Sequence, residues 1–165
     1  MTQFEGLLAA LTSNGVKFIV VGGAAAIVHG AARTTYDLDV VYERSSENLD
    51  RVVAAIAPLK PYPRGAPPGL PFIWDRTTLK RGLNFTLTST FGDLDLLGEI
   101  PGGGTYNDLV AGAIEVKLHG ATCLCVNLKQ LIRAKRAAGR PKDFEALAEL
   151  EAIEDESNNP PPGAS

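Results

Sequence analysis

Cysteine is nearly missing from this chain of 165 residues: only Cys123 and Cys125 occur, two apart in the run ATCLCV. On a strand they would stand side by side on one face, which reads as two buried small hydrophobes. Zinc would need two more ligands, and the two histidines, His29 and His119, have no ligand spacing around them. No stretch approaches the roughly 20 continuous apolar residues of a membrane span. The start MTQFEGLL lacks the basic segment and cleavage site of a secretion signal, so a cytoplasmic protein with no membrane contact is expected. An excess of positive charge is also lacking. With 16 Lys and Arg against 19 Asp and Glu, the net charge is -3 and the pI about 5.4. The charge balance therefore does not indicate a wholesale electrostatic grip on nucleic acid, and any such contact must be local. What is present is ordinary for a soluble chain: 45% hydrophobic and 21% charged residues, enough to bury a core and to exclude disorder and collagen. The length suits one domain and one site.

Hydrophobic spacing sets the coarse order of elements. Apolar residues at Phe4, Leu7, Leu8 and Leu11 mark one helical face, and Ser13-Asn14-Gly15 stops it. The run Lys17 to Val21 suits a strand buried on both faces. Gly22-Gly23 ends that strand, Ala24 to His29 reads as a short helix, and a loop from Gly30 to Tyr36 leads to a second strand, Asp37 to Tyr42. Ser45 or Ser46 caps a helix through Ala57. Residues 58–71, with six prolines, are expected to be an irregular exposed connection. Two hairpins follow, Asn84–Ser89 with Asp93–Leu97 and Ile114–Leu118 with Thr122–Val126. Helices over Leu128–Ala138 and from Pro141 to about Glu154 close the chain, and residues 155–165 are expected to be a disordered tail. The expected single domain spans 1–154, with a core of about 1–100 and a C-terminal hairpin and helices over about 104–154.

The chemistry concentrates in two acidic strands. In Asp37-Leu38-Asp39-Val40-Val41 the carboxylates alternate with aliphatic residues, so both project from one face, roughly 7 Å apart along the strand. Such a pair is either solvated or neutralised by a divalent cation. Phe91-Gly92-Asp93-Leu94-Asp95-Leu96-Leu97 repeats the pattern. If the two strands are sheet neighbours, three or four carboxylates converge into the oxygen-rich cage that one or two magnesium ions require, which suits phosphoryl-type transfer. Gly22-Gly23 is either a tight turn or a place where bare backbone N–H groups meet a phosphate. Lys129 to Lys142 carries six basic residues and no acid. At helical spacing Lys129, Arg133 and Arg136 form a solvated stripe, while Lys135 falls in the apolar arc with Leu128, Leu131 and Ile132. There it either snorkels or meets an anion, a carboxylate or a phosphate.

Val21-Gly22-Gly23 followed by Arg33-Thr34-Thr35-Tyr36-Asp37-Leu38-Asp39 resembles the glycine-turn and paired-aspartate signature of the nucleotidyltransferase fold, in the form found in AbiEii-like toxins and their small bacterial relatives. Gly92-Asp93-Leu94-Asp95-Leu96-Leu97 is similar to the superfamily's third-carboxylate strand, and Lys135 to Asp143 to the basic segment of those relatives. The resemblance implies an α/β (α+β) fold, a mixed β-sheet with flanking helices and a helical C-terminal cap. It further implies a magnesium-dependent transfer of a nucleoside monophosphate from a nucleoside triphosphate to a hydroxyl acceptor on RNA or protein, with a cognate antitoxin as a partner. Asp37, Asp39 and Asp95 would hold metal, with Asp95 alternatively the base for the acceptor and Asp93 its fallback. Gly22, Gly23, Arg33 and Thr35 would contact the nucleotide, and Lys135, Arg140 and Lys142 would balance phosphate charge. Many members carry a hydroxyl at the glycine turn, whereas Gly23-Ala24-Ala25 has none; Thr34 or Thr35 would have to supply it. The alternative expectation is a module of the same fold that binds nucleotide or a partner without turnover.

Overall fold

A computed structural model describes residues 2–159. In chain order the elements are α1 (Phe4–Ser13), β1 (Phe18–Val21), α2 (Gly22–Val28), β2 (Asp37–Tyr42), α3 (Ser46–Ile56), β3 (Tyr62–Pro63), α4 (Arg76–Arg81), β4 (Asn84–Ser89) and β5 (Gly92–Leu97). A two-strand ribbon, β6 (Glu99–Ile100) with β7 (Gly104–Thr105), then leads through α5 (Tyr106–Leu109) to β8 (Ile114–Leu118), β9 (Ala121–Cys125), α6 (Leu128–Ala138) and α7 (Pro141–Asn158). Seven strands form one mixed sheet in the order β3-β4-β5-β2-β1-β9-β8. The expected α/β architecture, with helices flanking the sheet and a helical C-terminus, is what the chain adopts.

The sheet follows from the apolar pattern. All four residues of β1 are buried, as a continuous β-branched run demands. In β2, Leu38 and Val40 are fully buried while Asp37 and Asp39 face the other way. The expected hairpins form as antiparallel pairs, β4 with β5 and β8 with β9. Between β2 and β5 the pairing is parallel, with Asp37 opposite Asp93 and Asp39 opposite Asp95.

Several expectations need correction. The glycine pair opens α2, which therefore starts at Gly22, two residues before the expected Ala24, and ends at Val28. Within 58–71, Tyr62 and Pro63 pair with Thr88 and Leu87 as an edge strand, where a missing proline N–H costs no ladder bond. Helix α4, capped by Asp75 accepting from the Thr78 N–H at 2.7 Å, has no counterpart in the sequence pattern. Helix α7 runs through Asn158, past the expected end near Glu154, because neither glycine nor proline interrupts residues 155–159. Residues 155–158 of the expected tail are helical, and residues 160–165 lie outside the described residues. Among the described residues no helix is long and apolar enough to cross a membrane.

Ser45 caps α3 by accepting from the Asn48 N–H at 3.2 Å. Asn48 is itself fully buried. Its amide donates to the Lys17 and Glu43 carbonyls at 3.0 and 2.7 Å, and its oxygen accepts from the Lys17 N–H at 2.7 Å, tying α3 to the start of β1 and the end of β2. Replacing Asn48 with Ala is expected to lower stability by about 2 kcal/mol in urea unfolding, from three lost bonds and backbone groups left unpaired.

Candidate active site

Strand alternation and the β2–β5 register gather the acidic side chains on one face. Carboxylate oxygens of Asp37, Asp39 and Asp95 lie within 4.8 Å of one another, the one such group of potential ligands among the described residues. Asp93 stands outside this trio, opposite Asp37. Burial, then the charges of Asp37 and Asp95, push the Asp39 carboxyl up to about 8. Burial also raises Asp95, against the pull of Arg64. Asp39 Oδ1 is buried with no hydrogen-bond partner. An all-oxygen, anionic, partly buried donor set with an unpartnered oxygen fits a hard divalent cation of the magnesium type. The soft donors lie elsewhere. Cys123 and Cys125 are buried free thiols, burial pushing Cys125 up to about 12, and His29 Nε2 bonds the Val126 carbonyl at 2.8 Å.

The glycine turn packs directly on these acids. Gly22 has φ +64°, and a Cβ there would fall 2.2 Å from Asp39 Oδ2. A Cβ at Gly23 would fall 2.7 Å from Thr35 Oγ1. The Thr35 side chain therefore fills the space that a side chain at position 23 would need. Its hydroxyl donates to the Asp37 carbonyl at 3.1 Å and lies 3.4 Å from Asp37 Oδ1. Thr34 is exposed. Arg33 is drawn away from the acids: its Nε pairs with Glu149 of α7 at 3.0 Å, and the other oxygen of Glu149 accepts from the Ala32 N–H.

Asp39 and Asp95 line a cleft of about 380 Å³ whose wall also includes Gly22, Lys135 and Arg140. Lys135, mostly buried, finds its anion in a carboxylate: Nζ is 3.4 Å from Asp143 Oδ1. Its charge also opposes the upward push on Asp39. Arg140 Nε donates to Asp143 Oδ2 at 2.7 Å. Burial alone would raise Asp143, but the Arg140 hydrogen bond and the charges of Lys135 and Arg140 outweigh it and hold the carboxyl low. Lys142 is exposed on the first turn of α7 and does not line the cleft. The stripe Lys129, Arg133 and Arg136 is exposed, as its helical spacing implies.

Arg64 and Asp143 belong to the site with little sequence signal of their own. Asp143 only closes the last basic segment. Arg64 sits among prolines and glycines just after β3, and its guanidinium reaches Asp95 at 2.7 Å, Asp93 at 3.4 Å and Asp37 at 3.8 Å. Only the β3–β4 pairing, invisible in a proline-rich stretch, brings it there.

No protein-family model matches the chain, and no curated protein matches it at a meaningful level. Solved structures do. A lincosamide antibiotic adenylyltransferase, LnuA, with lincomycin bound, is 17% identical with a TM-score of 0.58, over 93% of this chain and 98% of that one. ANT(2")-Ia in complex with adenylyl-2"-tobramycin is 15% identical with a TM-score of 0.55, over 92% and 90%. An antigenic nucleotidyltransferase-like protein from Paracoccidioides brasiliensis is 12% identical with a TM-score of 0.52, over 90% and 72%. At these identities the likeness shows the fold, and the chain has a nucleotidyltransferase-like fold. In this chain the acidic trio sits on the parallel pair β2 and β5.

Proposed function

We propose that this protein transfers a nucleoside monophosphate from a nucleoside triphosphate to a hydroxyl acceptor, with Asp37, Asp39 and Asp95 holding one or two magnesium ions. One observation carries the reading: three carboxylates from two parallel strands converge around an unpartnered Asp39 oxygen, beside a cleft that Lys135 also lines. Magnesium bound there would neutralise phosphate charge and make an acceptor hydroxyl easier to deprotonate. The chain supplies the rest. Gly22 and Gly23 set bare backbone beside the carboxylates, with N–H groups that a polyphosphate could meet. Lys135 and Arg140 balance phosphate charge from the C-terminal helices, oriented by Asp143, which they share. Thr35 offers the hydroxyl that the glycine turn lacks. Asp95, less acidic than an ordinary carboxyl, would hold metal or accept the acceptor's proton. Arg33 would have to leave Glu149 to meet a phosphate, and Lys142 would act only at the cleft's mouth.

The structural likeness to proteins that hold lincomycin and adenylylated tobramycin supports adding small hydroxyl-bearing molecules to RNA and protein as acceptors. A toxin of a toxin–antitoxin pair would use RNA or protein. Purified protein incubated with each α-labelled triphosphate, magnesium and a cell extract is expected to move label onto an acceptor, whose class identifies itself by nuclease, protease or filtration sensitivity. Lys135→Ala should slow the transfer by about 10²-fold or more, since removing one preorganised charge commonly costs that much. Tight nucleotide binding with no label moved from any triphosphate would leave a binding module and overturn the transferase reading.

A further inference from the structure

Among the described residues, Arg64 is the cation within ion-pairing distance of Asp37, Asp93 and Asp95, at 3.8, 3.4 and 2.7 Å. Its backbone is pinned, the N–H donating to the Thr86 carbonyl at 2.9 Å. Its side chain is held less completely. Nη2 donates to Asp95 Oδ1 at 2.7 Å and to the Leu87 carbonyl at 2.8 Å, but the buried Nε makes no hydrogen bond despite the nearby Asp93. A guanidinium set permanently in a carboxylate cluster would use its fork of donors bidentately. This one spreads a single charge over three acids and hydrogen-bonds only one. Asp39, beyond its reach, keeps an unpartnered oxygen, so neutralisation by Arg64 is partial.

We infer that Arg64 is the carboxylate cluster's own counter-cation and sets its affinity for divalent metal. The guanidinium stabilises the metal-free acids and must surrender Asp37 and Asp95 when metal is held. This rests on the reading of Asp37, Asp39 and Asp95 as metal ligands. Two of those three are the partners of Arg64, and a guanidinium and a divalent ion so close repel. The measured metal affinity is then the intrinsic affinity reduced by the cost of moving Arg64 off its partners. Arg64 is thus a positioning residue whose removal should tighten metal binding, the reverse of what loss of a merely structural residue does.

The test is a Mn²⁺ titration of the full chain, followed by electron paramagnetic resonance, for wild type, Arg64→Gln, Arg64→Lys and Asp39→Asn, with thermal melts of each. Arg64→Gln is expected to bind Mn²⁺ about tenfold more tightly, a shift typical of removing one competing state. Arg64→Lys should fall between it and wild type, because an ammonium cannot span three acids. Without metal, Arg64→Gln should melt lower, and Mn²⁺ should restore it. Should Arg64→Gln fail to fold without metal, Arg64→Lys decides by the same comparison. Binding in wild type that is lost in Asp39→Asn but is equal or weaker in the Arg64 variants overturns this inference alone. If wild type and the Arg64 variants bind no Mn²⁺, the metal reading falls and this inference with it.

Discussion

Asp39→Asn is expected to abolish transfer and, at the same time, to make the metal-free protein more stable. The loss of activity, about 10³-fold or more, is what removing one of the three carboxylates proposed to hold magnesium should cause. The gain in stability follows from the Asp39 carboxyl itself, which burial and its two acidic neighbours push up to about 8. In the unfolded chain it ionises near 4. Below that pH it is protonated in both states and contributes no difference. Between about 4 and 8 the unfolded chain releases the proton while the folded protein retains it, so folding loses stability as pH rises through this window. At about 1.4 kcal/mol per tenfold change in proton affinity, the deficit grows to the order of a few kcal/mol. An asparagine never ionises. Wild type and Asp39→Asn should therefore melt at similar temperatures near pH 4 and diverge toward pH 8, with the variant higher. Magnesium should close the gap by restoring wild type alone. Parallel pH profiles for the two proteins would show that Asp39 is not held protonated by its surroundings.

Gly22→Ala should be the most damaging change of a single methyl group. A left-handed φ of +64° costs an alanine about 1–2 kcal/mol. The added Cβ also lands 2.2 Å from Asp39 Oδ2, so the carboxylate must move. Displacing a reacting group by about 1 Å is enough to cost roughly 10²-fold in rate. The expected result is a loss of at least that factor in transfer, with stability lower by about 2 kcal/mol in urea unfolding. Gly65 is the control: its φ is also positive, at +81°, but a Cβ there meets nothing within 4 Å. Gly65→Ala should show the backbone cost alone and leave transfer within a factor of a few. Equal kinetic effects of the two changes would separate the glycine turn from the chemistry.

Much of this arrangement is legible along the chain, for one reason. Alternation within a strand is a local property, so Asp37 and Asp39 read as sharing a face, as do Asp93 and Asp95, and the structure has them so. Lys135 likewise reads as misplaced in an apolar arc, and the anion it meets is the Asp143 carboxylate, eight residues on. Arg64 reads as nothing. Proline-rich composition marks residues 58–71 as unstructured because proline has no ladder donor, yet an edge strand needs hydrogen bonds on one side only. Arg33 has a partner that no local pattern shows: the resemblance implies a place beside the nucleotide, and in the structure its guanidinium pairs with Glu149, far along the chain.

The amino-acid order by itself therefore determined the fold class, most of the strands, and which side of β2 and β5 carries acid. These depend on periods of two and 3.6 residues and on backbone angles, which neighbouring residues settle among themselves. Only the tertiary structure decided that β2 and β5 lie side by side and parallel, that Asp95 and not Asp93 completes the trio, and that Arg64 and Asp143, from distant parts of the sequence, pair with Asp95 and Lys135. Sheet register and long-range ion pairs join residues tens of positions apart, and no local pattern encodes which partner a charge will meet.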